Sequence, residues 1–378
     1  MTGSSTPIRA VVAGGSLVGL SAAIALSRLG IDVTVFERTA ARAEDGGGGL
    51  GVDTDLLREV TGLSAAPPVV HGIDRDTGAW HLLQAWLEDQ ARSRPGARIG
   101  RGTAVVSVLP GDAGRSAIVT TSDGARHHAD LVIGADGARS TVRAAVAPGQ
   151  PDAGYAGVLL WRTLVAERDL PPGTPLPRAG EPSREIYAGP YRLVTYLVPG
   201  PHGQTTVGGR RLNLVWYDPE QRDLLQDRGL LDGDLVRGTL APGALPGPVR
   251  DRLTAFASAV WPSPWREALT VAFAAGTVFG TPIVQYRPQS LAYGRVALAG
   301  DAAHAASPMV GGGFRQGLYD VRALAQALDG LAGPADVPAA LAGYNADRLG
   351  PAVAHVRASE RATAIYLARA TQTAREVS

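Results

Sequence analysis

Between Ile8 and Arg38 the chain reads IRAVVAGGSLVGLSAAIALSRLGIDVTVFER, and few local structures satisfy all of it. RAVVA is a small and β-branched run suited to a buried parallel strand. SLVGLSAAIALSRLG follows with apolar residues at helical spacing and stops at Gly30. A second β-branched run, IDVTVFER, then ends on the acidic Glu37. Strand, turn, helix, strand and acid in this register predict a βαβ unit. Its first turn meets a phosphate at a helix N-terminus, and the acid, about twenty residues on, accepts ribose hydroxyls. The fingerprint G-x-G-x-x-G puts its glycines where Gly14, Ser16 and Gly19 stand, so the middle one carries a hydroxymethyl group. Two readings follow: the Ser16 hydroxyl donates to a phosphate oxygen, or the pyrophosphate sits slightly further out.

Composition narrows the partners. With 378 residues, 45% of them hydrophobic, the chain is long enough for one large or two interlocked domains, and a net charge of +1 argues against nucleic acid as a partner. All the positive charge is arginine, so no lysine Schiff base or lysine general base is available. With no cysteine, disulfides and thiolate chemistry are excluded, and the composition agrees with a reducing cytoplasm. The seven histidines show no ligand spacing, so no metal site is expected. The opening MTGSSTPIR lacks the features of a signal peptide, and no apolar stretch is long enough to span a membrane. The expectation is a soluble cytoplasmic protein with no membrane partner.

Two later stretches extend the first. HADLVIGADGARSTVR has strand residues ending on Asp136 and Gly137, followed by Arg139, Ser140 and Arg143. YGRVALAGDAAHAASPMVGGGFRQGLYDVRALAQAL runs from an apolar strand through a Gly300-Asp301 turn into a glycine-rich loop and a helix. An aspartate at a strand end is placed to accept hydrogen bonds from a polyol. The glycines at 311 to 313 offer bare N–H donors and the positive end of a dipole to an electron-rich ring.

Together the three stretches resemble the FAD-dependent aromatic monooxygenases of the para-hydroxybenzoate hydroxylase type, the group A flavoprotein monooxygenases. Gly14, Gly19 and Glu37 match the family's first motif, Asp136, Gly137 and Arg143 the second, and Gly300, Asp301 and Pro308 the third. The opening GGS, the segment HLLQAWLEDQ and the stretches at 155–171 and 210–220 are similar to the branch containing 2,6-dihydroxypyridine 3-hydroxylase, where serine in that turn is usual.

The resemblance implies an α/β fold: a Rossmann-like FAD-binding domain, a mostly antiparallel β-sheet substrate domain and a helical C-terminal tail. The boundaries expected are 1–150 with 280–330 for FAD, 151–279 for substrate and 331–378 for the tail, with a helical excursion from about Ala66 and surface loops such as DLPPGTPLPRAGEPS. The cofactors implied are FAD, with NADPH or NADH as a transient hydride donor, and O2, which reacts through a C4a-hydroperoxide held away from water. The cofactor contacts implied are Gly14, Gly15, Ser16, Leu17, Gly19, Glu37, Arg38, Gly49, Val105, Asp136, Gly137, Arg143, Gly300, Asp301, Gly311 and Arg315. Pro308, by the flavin ring, and the amides of Gly312 and Gly313 are the candidate catalytic elements, with His304 a candidate base. Trp161, Tyr187, Tyr196 and Trp216 are candidates to line an aromatic substrate pocket, although strand alternation sends some of them into the core. Arg162 is a candidate contact for an acidic substrate.

Two positions depart from the family pattern: Arg315 stands where many members carry asparagine, and Trp80 where an arginine commonly reaches the FAD phosphates. The reaction expected is oxygen insertion into a phenolic, polyketide-like or heteroaromatic small molecule by a monomer or homodimer. Baeyer–Villiger oxidation, epoxidation and a flavin-binding module without turnover stay open at this stage.

Overall fold

The computed structural model describes residues 7–42, 47–178, 181, 183–219 and 221–377. The opening unit forms as its pattern requires: strand β1 (Arg9–Ala13), helix α1 (Leu17–Arg28) and strand β2 (Asp32–Glu37), the strands parallel and joined by the helical crossover that parallel pairing needs. Helix α1 is buried along almost its whole length, because α3 and α9, described below, cover the side turned from the sheet. Its alanines make that close packing sterically possible.

The chain then adds β3 (Gly49–Val52), α2 (Thr54–Thr61), β4 (Val69–Val70), β5 (Asp76–Ala79) and α3 (Trp80–Arg92). The excursion after Ala66 is therefore a hairpin leading into one helix, not helix throughout. A two-residue strand is too short to show a period in sequence. β6 (Ala97–Arg101) pairs with β2; β7 (Val105–Leu109), β8 (Ala117–Thr121) and β9 (Arg126–Ala129) form a small antiparallel sheet; β10 (Leu131–Gly134) lies parallel to β1, followed by the short α4 (Arg143–Val146).

A second, antiparallel sheet is built from β11 (Gly154–Ala166), β12 (Arg184–Ala188), β13 (Tyr191–Val198) and β14 (Arg211–Asp218). After α5 (Arg222–Asp227) come the two-residue strands β15 (Leu231–Asp232) and β16 (Leu235–Val236), then α6 (Gly247–Val260) and α7 (Trp265–Ala275). β17 (Phe279–Gln285) pairs with β11, so the chain leaves this sheet only after Gln285. β18 (Ala292–Tyr293) and β19 (Val296–Leu298) complete the first sheet in the order β18-β19-β10-β1-β2-β6, parallel except for the β18–β19 pair. Three helices follow: α8 (Asp301–His304), α9 (Gly313–Leu328) and the 41-residue α10 (Val337–Val377). The proline-rich segment before β12 is only partly within the described residues.

Alternation divides the second sheet by function. Leu159, Trp161 and Val165 with Leu212, Leu214 and Trp216 pack outward against Trp261, Trp265 and Phe273 of the α6–α7 layer. Trp216 meets Tyr191 and Trp261 edge to face at 5.3 and 5.4 Å, geometry that adds about 0.5–1.5 kcal/mol per pair beyond burial. The intervening residues Leu160, Val215 and Tyr217 face the other way, toward the first sheet. α10 spans both sheets: Tyr344 Oη donates to Leu298 O at 2.7 Å and Tyr366 Oη to Tyr217 O at 2.9 Å. Among the described residues no helix is long and apolar enough to cross a membrane.

Candidate active site

The opening turn shows why two of its three fingerprint positions are glycine. Gly14 has φ 102°, and a Cβ there lies 2.4 Å from Ala135 O; a Cβ at Gly19 lies 2.0 Å from Gly14 O. Ser16 is ordinary extended backbone (φ −90°, ψ −173°) at the N-cap of α1, and its hydroxyl makes no capping bond. A side chain at this position costs nothing sterically and leaves a donor at the positive end of the helix. Glu37 accepts N–H bonds from Gly15 and Thr39, each at 2.8 Å, which uses two of a carboxylate's roughly four acceptor directions; the carboxylate also lines the cleft.

Behind the turn lies a network without a sequence signal strong enough to find it. Gln84 Nε2 donates to Gly15 O at 3.0 Å and to Glu88 at 3.2 Å. Glu88 is buried and is bonded by Arg92 and Arg101, with Arg42 at 3.3 Å. Burial alone raises the Glu88 pKa, but these guanidinium partners hold it at about 2. Arg101 also donates to Thr39 O and Ala41 O, so one carboxylate braces both the glycine turn and the loop after β2. The only hint in the sequence is the i, i+4, i+8 spacing of Gln84, Glu88 and Arg92 on α3.

A single cleft of about 1550 Å³ runs from this turn, along the C-terminal ends of the parallel strands, to the underside of the second sheet. That exceeds the volume of a drug-sized pocket and leaves room for a dinucleotide with a small ring beside it. Gly14, Gly15, Ser16, Leu17, Glu37, Arg38, Gly49 and Val105 all border it. So do Asp136 and Gly137, the former accepting from Ser140 Oγ at 2.5 Å and Thr141 N at 2.7 Å. Asp301, Pro308, Gly311, Gly312, Gly313 and Arg315 form the far wall; Gly311 and Gly312 turn the chain at φ 64° and 75° so that α9 opens with bare N–H groups toward the cleft. Gly49 N donates to Asn213 Oδ1 at 2.7 Å, which docks β3 on the second sheet.

Seven expected contacts lie off the cleft wall. Gly19 serves the close packing of α1, and Gly300 gives its N–H to Asp320. Arg143 is fully buried and donates to the carbonyls of Ala138, Pro151, Asp301 and Ala302, with its guanidinium 4.0 Å from the centre of the Tyr286 ring. It straps the loop after β10 to that after β19 and has no free donor face for a cofactor. His304, the candidate base, is buried with Nε2 at 2.6 Å from Asp320 Oδ2. Burial lowers its pKa, but the Asp320 carboxylate raises it above the ordinary value, so it is a cation in an ion pair. Trp161 and Trp216 point into the outer core, the former donating to Asp218 Oδ2 at 2.8 Å. Tyr187 sits on the edge strand β12, exposed, bonded to Glu185 and stacked on Arg369. Period-two alternation is the common cause for the tryptophans: each is one residue out of phase with the cleft face.

Of the four aromatic candidates, Tyr196 borders the cleft, joined by Tyr217, Leu160, Val194, Val215 and Ile283. Burial raises both phenol pKa values, that of Tyr217 to about 12, so both are hydrogen-bond donors at neutral pH. Arg162 reaches this face as well; its Nη2 donates to Gly49 O at 3.3 Å, and no carboxylate pairs with it among the described residues. Trp80, the second departure from the family pattern, packs against the α1–α2–α3 core and also borders the cleft. His355 on α10 was not foreseen; it lines the cleft with its ring 6.2 Å from that of His304. Among the described residues no group of three or more acidic or histidine side chains is arranged to hold a metal ion.

These features suit FAD: a turn in which a Cβ at either of two glycines collides with backbone, an acid at the next strand end, a carboxylate and bare helix N–H groups further along one continuous cleft. Comparison with known proteins agrees. A family described as FAD binding domain matches residues 78–171 and 269–359, and one described as FAD binding domain-like matches 155–274. The 3-amino-4-hydroxybenzoate 2-monooxygenase of Streptomyces cremeus is 30% identical over 355 residues, covering 86% of this chain and 80% of its own. The salicylate hydroxylase of Pseudomonas putida is 26% identical over 356 residues, covering 85% and 77%. The solved structure of 2,6-dihydroxypyridine-3-hydroxylase from Arthrobacter nicotinovorans superposes with a TM-score of 0.74 at 23% identity, covering 94% of this chain and 91% of that one.

Proposed function

Because the chain belongs to the FAD-dependent aromatic monooxygenases of the para-hydroxybenzoate hydroxylase type, we propose that its substrate is a small hydroxylated aromatic or heteroaromatic acid. Family membership carries the reaction class: a flavin-dependent monooxygenase that consumes NAD(P)H and O2. The observation that carries the substrate class is the inner face of the second sheet. There Leu160, Val194, Val215 and Ile283 offer apolar walls for a ring, and Arg162, Tyr196 and Tyr217 supply the polar groups. Two relatives point the same way by name, since 3-amino-4-hydroxybenzoate and salicylate are both hydroxylated aromatic acids.

When bound, FAD supplies the two-electron chemistry that links nicotinamide oxidation to oxygen transfer. The N–H groups of Ser16 and Leu17 and the Ser16 hydroxyl, at the positive end of α1, would hold the pyrophosphate, while the Gly14 and Gly15 N–H groups are spent on Phe36 O and Glu37. Glu37 would take the ribose hydroxyls, Asp301 the polyol chain, and the amides of Gly312 and Gly313 the ring edge. Asp136 and Gly137 would close the floor, Gly49 and Pro308 would bound the ring site by shape, and Arg38 would close the outer end. Arg162 pairs with the substrate anion, and the protonated phenols of Tyr196 and Tyr217 donate to its oxygens. The apolar walls exclude water from the reacting carbon, which protects the oxygen transfer from wasteful hydrolysis.

The test is the visible spectrum of the purified protein, then NADPH and NADH oxidation with hydroxybenzoates, hydroxypyridines and cyclic ketones. The reading expects a yellow protein whose nicotinamide oxidation rises several-fold with a hydroxylated aromatic acid, with hydroxylated product. Stimulation by ketones alone, with lactone formed, overturns it.

A further inference from the structure

The first turn of α9 carries an arginine with no opposite charge to hold it. Further along the same helix Arg322 lies 3.4 Å from Glu59, and on α10 Arg348 lies 3.0 Å from Asp320. Arg315 borders the cleft, is exposed to it, and has no hydrogen-bond or ion-pair partner among the described residues. Its guanidinium folds back over the glycine turn, so that a Cβ on Gly312 meets its Nη2 at 3.3 Å.

Other basic groups converge on the same turn. Arg75 Nη1 comes within 3.8 Å of a Cβ on Gly311, and His355 faces the cleft from α10. Asp320, beneath the turn, is already committed to His304, Arg348 and the Gly300 N–H. His355 faces His304, Arg315, Asp320 and Arg348; burial first, then the cations, lower its pKa, so it adds little charge at neutral pH. Arg75 is paired with Asp74 at 3.2 Å, so the unpaired fixed positive charge at this end of the cleft, among the described residues, belongs to Arg315, and it adds to the bare N–H groups of Gly312 and Gly313 and to the helix dipole.

Hydride transfer from a nicotinamide brings two electrons and one proton to FAD and leaves one negative charge on the pyrimidine part of the ring. We propose that Arg315 is the fixed cation that stabilises this charge, raising the reduction potential of the bound FAD. The inference rests on the FAD-dependent reading above, and it concerns a position where the resemblance leads one to expect a neutral asparagine.

The test uses the FAD-loaded protein without substrate, as wild type, Arg315→Asn, Arg315→Gln and Arg315→Lys. Sulfite, an anion that adds to the oxidised ring and leaves negative charge on the same pyrimidine edge, is titrated by bleaching of the visible band. The potential is read against a reference dye. The neutral variants are expected to bind sulfite at least about tenfold more weakly, equivalent to a potential lower by about 30 mV for a two-electron couple, and Arg315→Lys to recover most of both. Neutral variants that hold stoichiometric FAD with both quantities unchanged overturn the proposal. A rise in substrate KM with an unchanged potential overturns it too, and assigns Arg315 to the substrate instead. Wild-type protein that takes up no FAD removes the family reading itself, and this inference with it.

Discussion

His304 Nε2 lies 2.6 Å from Asp320 Oδ2, with both side chains buried beneath the cleft floor. The same carboxylate receives the Gly300 N–H at 2.9 Å and Arg348 Nε at 3.0 Å. One aspartate thus fixes the turn that presents Asp301, the base of α9 and the long helix α10 to one another. A histidine chosen from sequence as a candidate base instead holds the site's shape.

Replacing that carboxylate has a predictable cost. Asp320→Asn leaves Arg348 as a buried cation without its counter-charge and lets burial strip His304 of its proton, a change worth about 3–5 kcal/mol of stability. Urea unfolding measures it; a loss below about 1 kcal/mol contradicts the account. The pair also sets a pH dependence. The folded-state pKa of His304 is raised, so its contribution is fully present below the ordinary value of 6.5 and is lost as pH rises through the folded value. Stability of the wild type is expected to fall as pH rises above the ordinary histidine value of 6.5 and through the raised folded-state value, and His304→Gln to flatten that slope. Parallel slopes in the two proteins contradict the assignment.

Glu88 gives the opposite sign. Its pKa falls from 4.5 to about 2, and its side chain is 1% exposed. The stabilisation, about 3 kcal/mol by linkage, is present above pH 4.5 and lost as pH falls through about 2. Glu88→Gln should therefore be less stable at neutral pH and respond less to acid. Because Gln84 and Arg101 lose their anchor, FAD should also bind more weakly, which titration of the apoprotein by flavin fluorescence reads directly.

The fingerprint positions separate by geometry. Gly19→Ala drives a methyl into Gly14 O, since the Cβ position is 2.0 Å away, and FAD binding is expected to be lost. Ser16→Gly keeps the backbone and should stay within a few-fold of the wild type. Ser16→Ala removes one donor, about 1 kcal/mol or roughly fivefold in Kd if the hydroxyl meets a phosphate. An unchanged Kd in Ser16→Ala favours the reading in which the pyrophosphate sits further out.

What was legible in sequence is what short-range physics decides. The βαβ unit, the Asp136-Gly137 turn and the run from Gly311 to Gly313 announce themselves because strand period, helix spacing and glycine at positive φ are local. Arg143 was found by motif, but its partners Asp301 and Ala302 lie 158 and 159 residues away, so its duty as a strap was not legible. The cage around Glu88 draws on α3, β6 and the loop after β2, and no one of these segments carries the signal. In the second sheet the phase was the missing quantity. Every residue of β14 is buried, so apolar pattern alone does not say which face meets the cleft and which the α6–α7 layer.

That phase makes a direct test, because Trp161 and Arg162 are neighbours with opposite duties. Arg162 faces the cleft without a carboxylate partner, while Trp161 is buried in the outer core and bonded to Asp218. A charge-assisted hydrogen bond to a substrate anion is worth about 1.5–3 kcal/mol, so Arg162→Gln should lower kcat/KM for a hydroxylated aromatic acid by roughly ten- to a hundredfold. The same variant should leave the rate with the corresponding neutral phenol within about twofold, because no charge pair is lost there. Trp161→Phe should do the reverse: it removes volume and the bond to Asp218 and lowers the urea midpoint, with kcat/KM nearly unchanged for the protein that remains folded. Equal losses on acid and neutral substrates in Arg162→Gln mean that the arginine positions the Gly49 loop through its bond to that carbonyl. Selective loss on the acid means that it reads the substrate's charge.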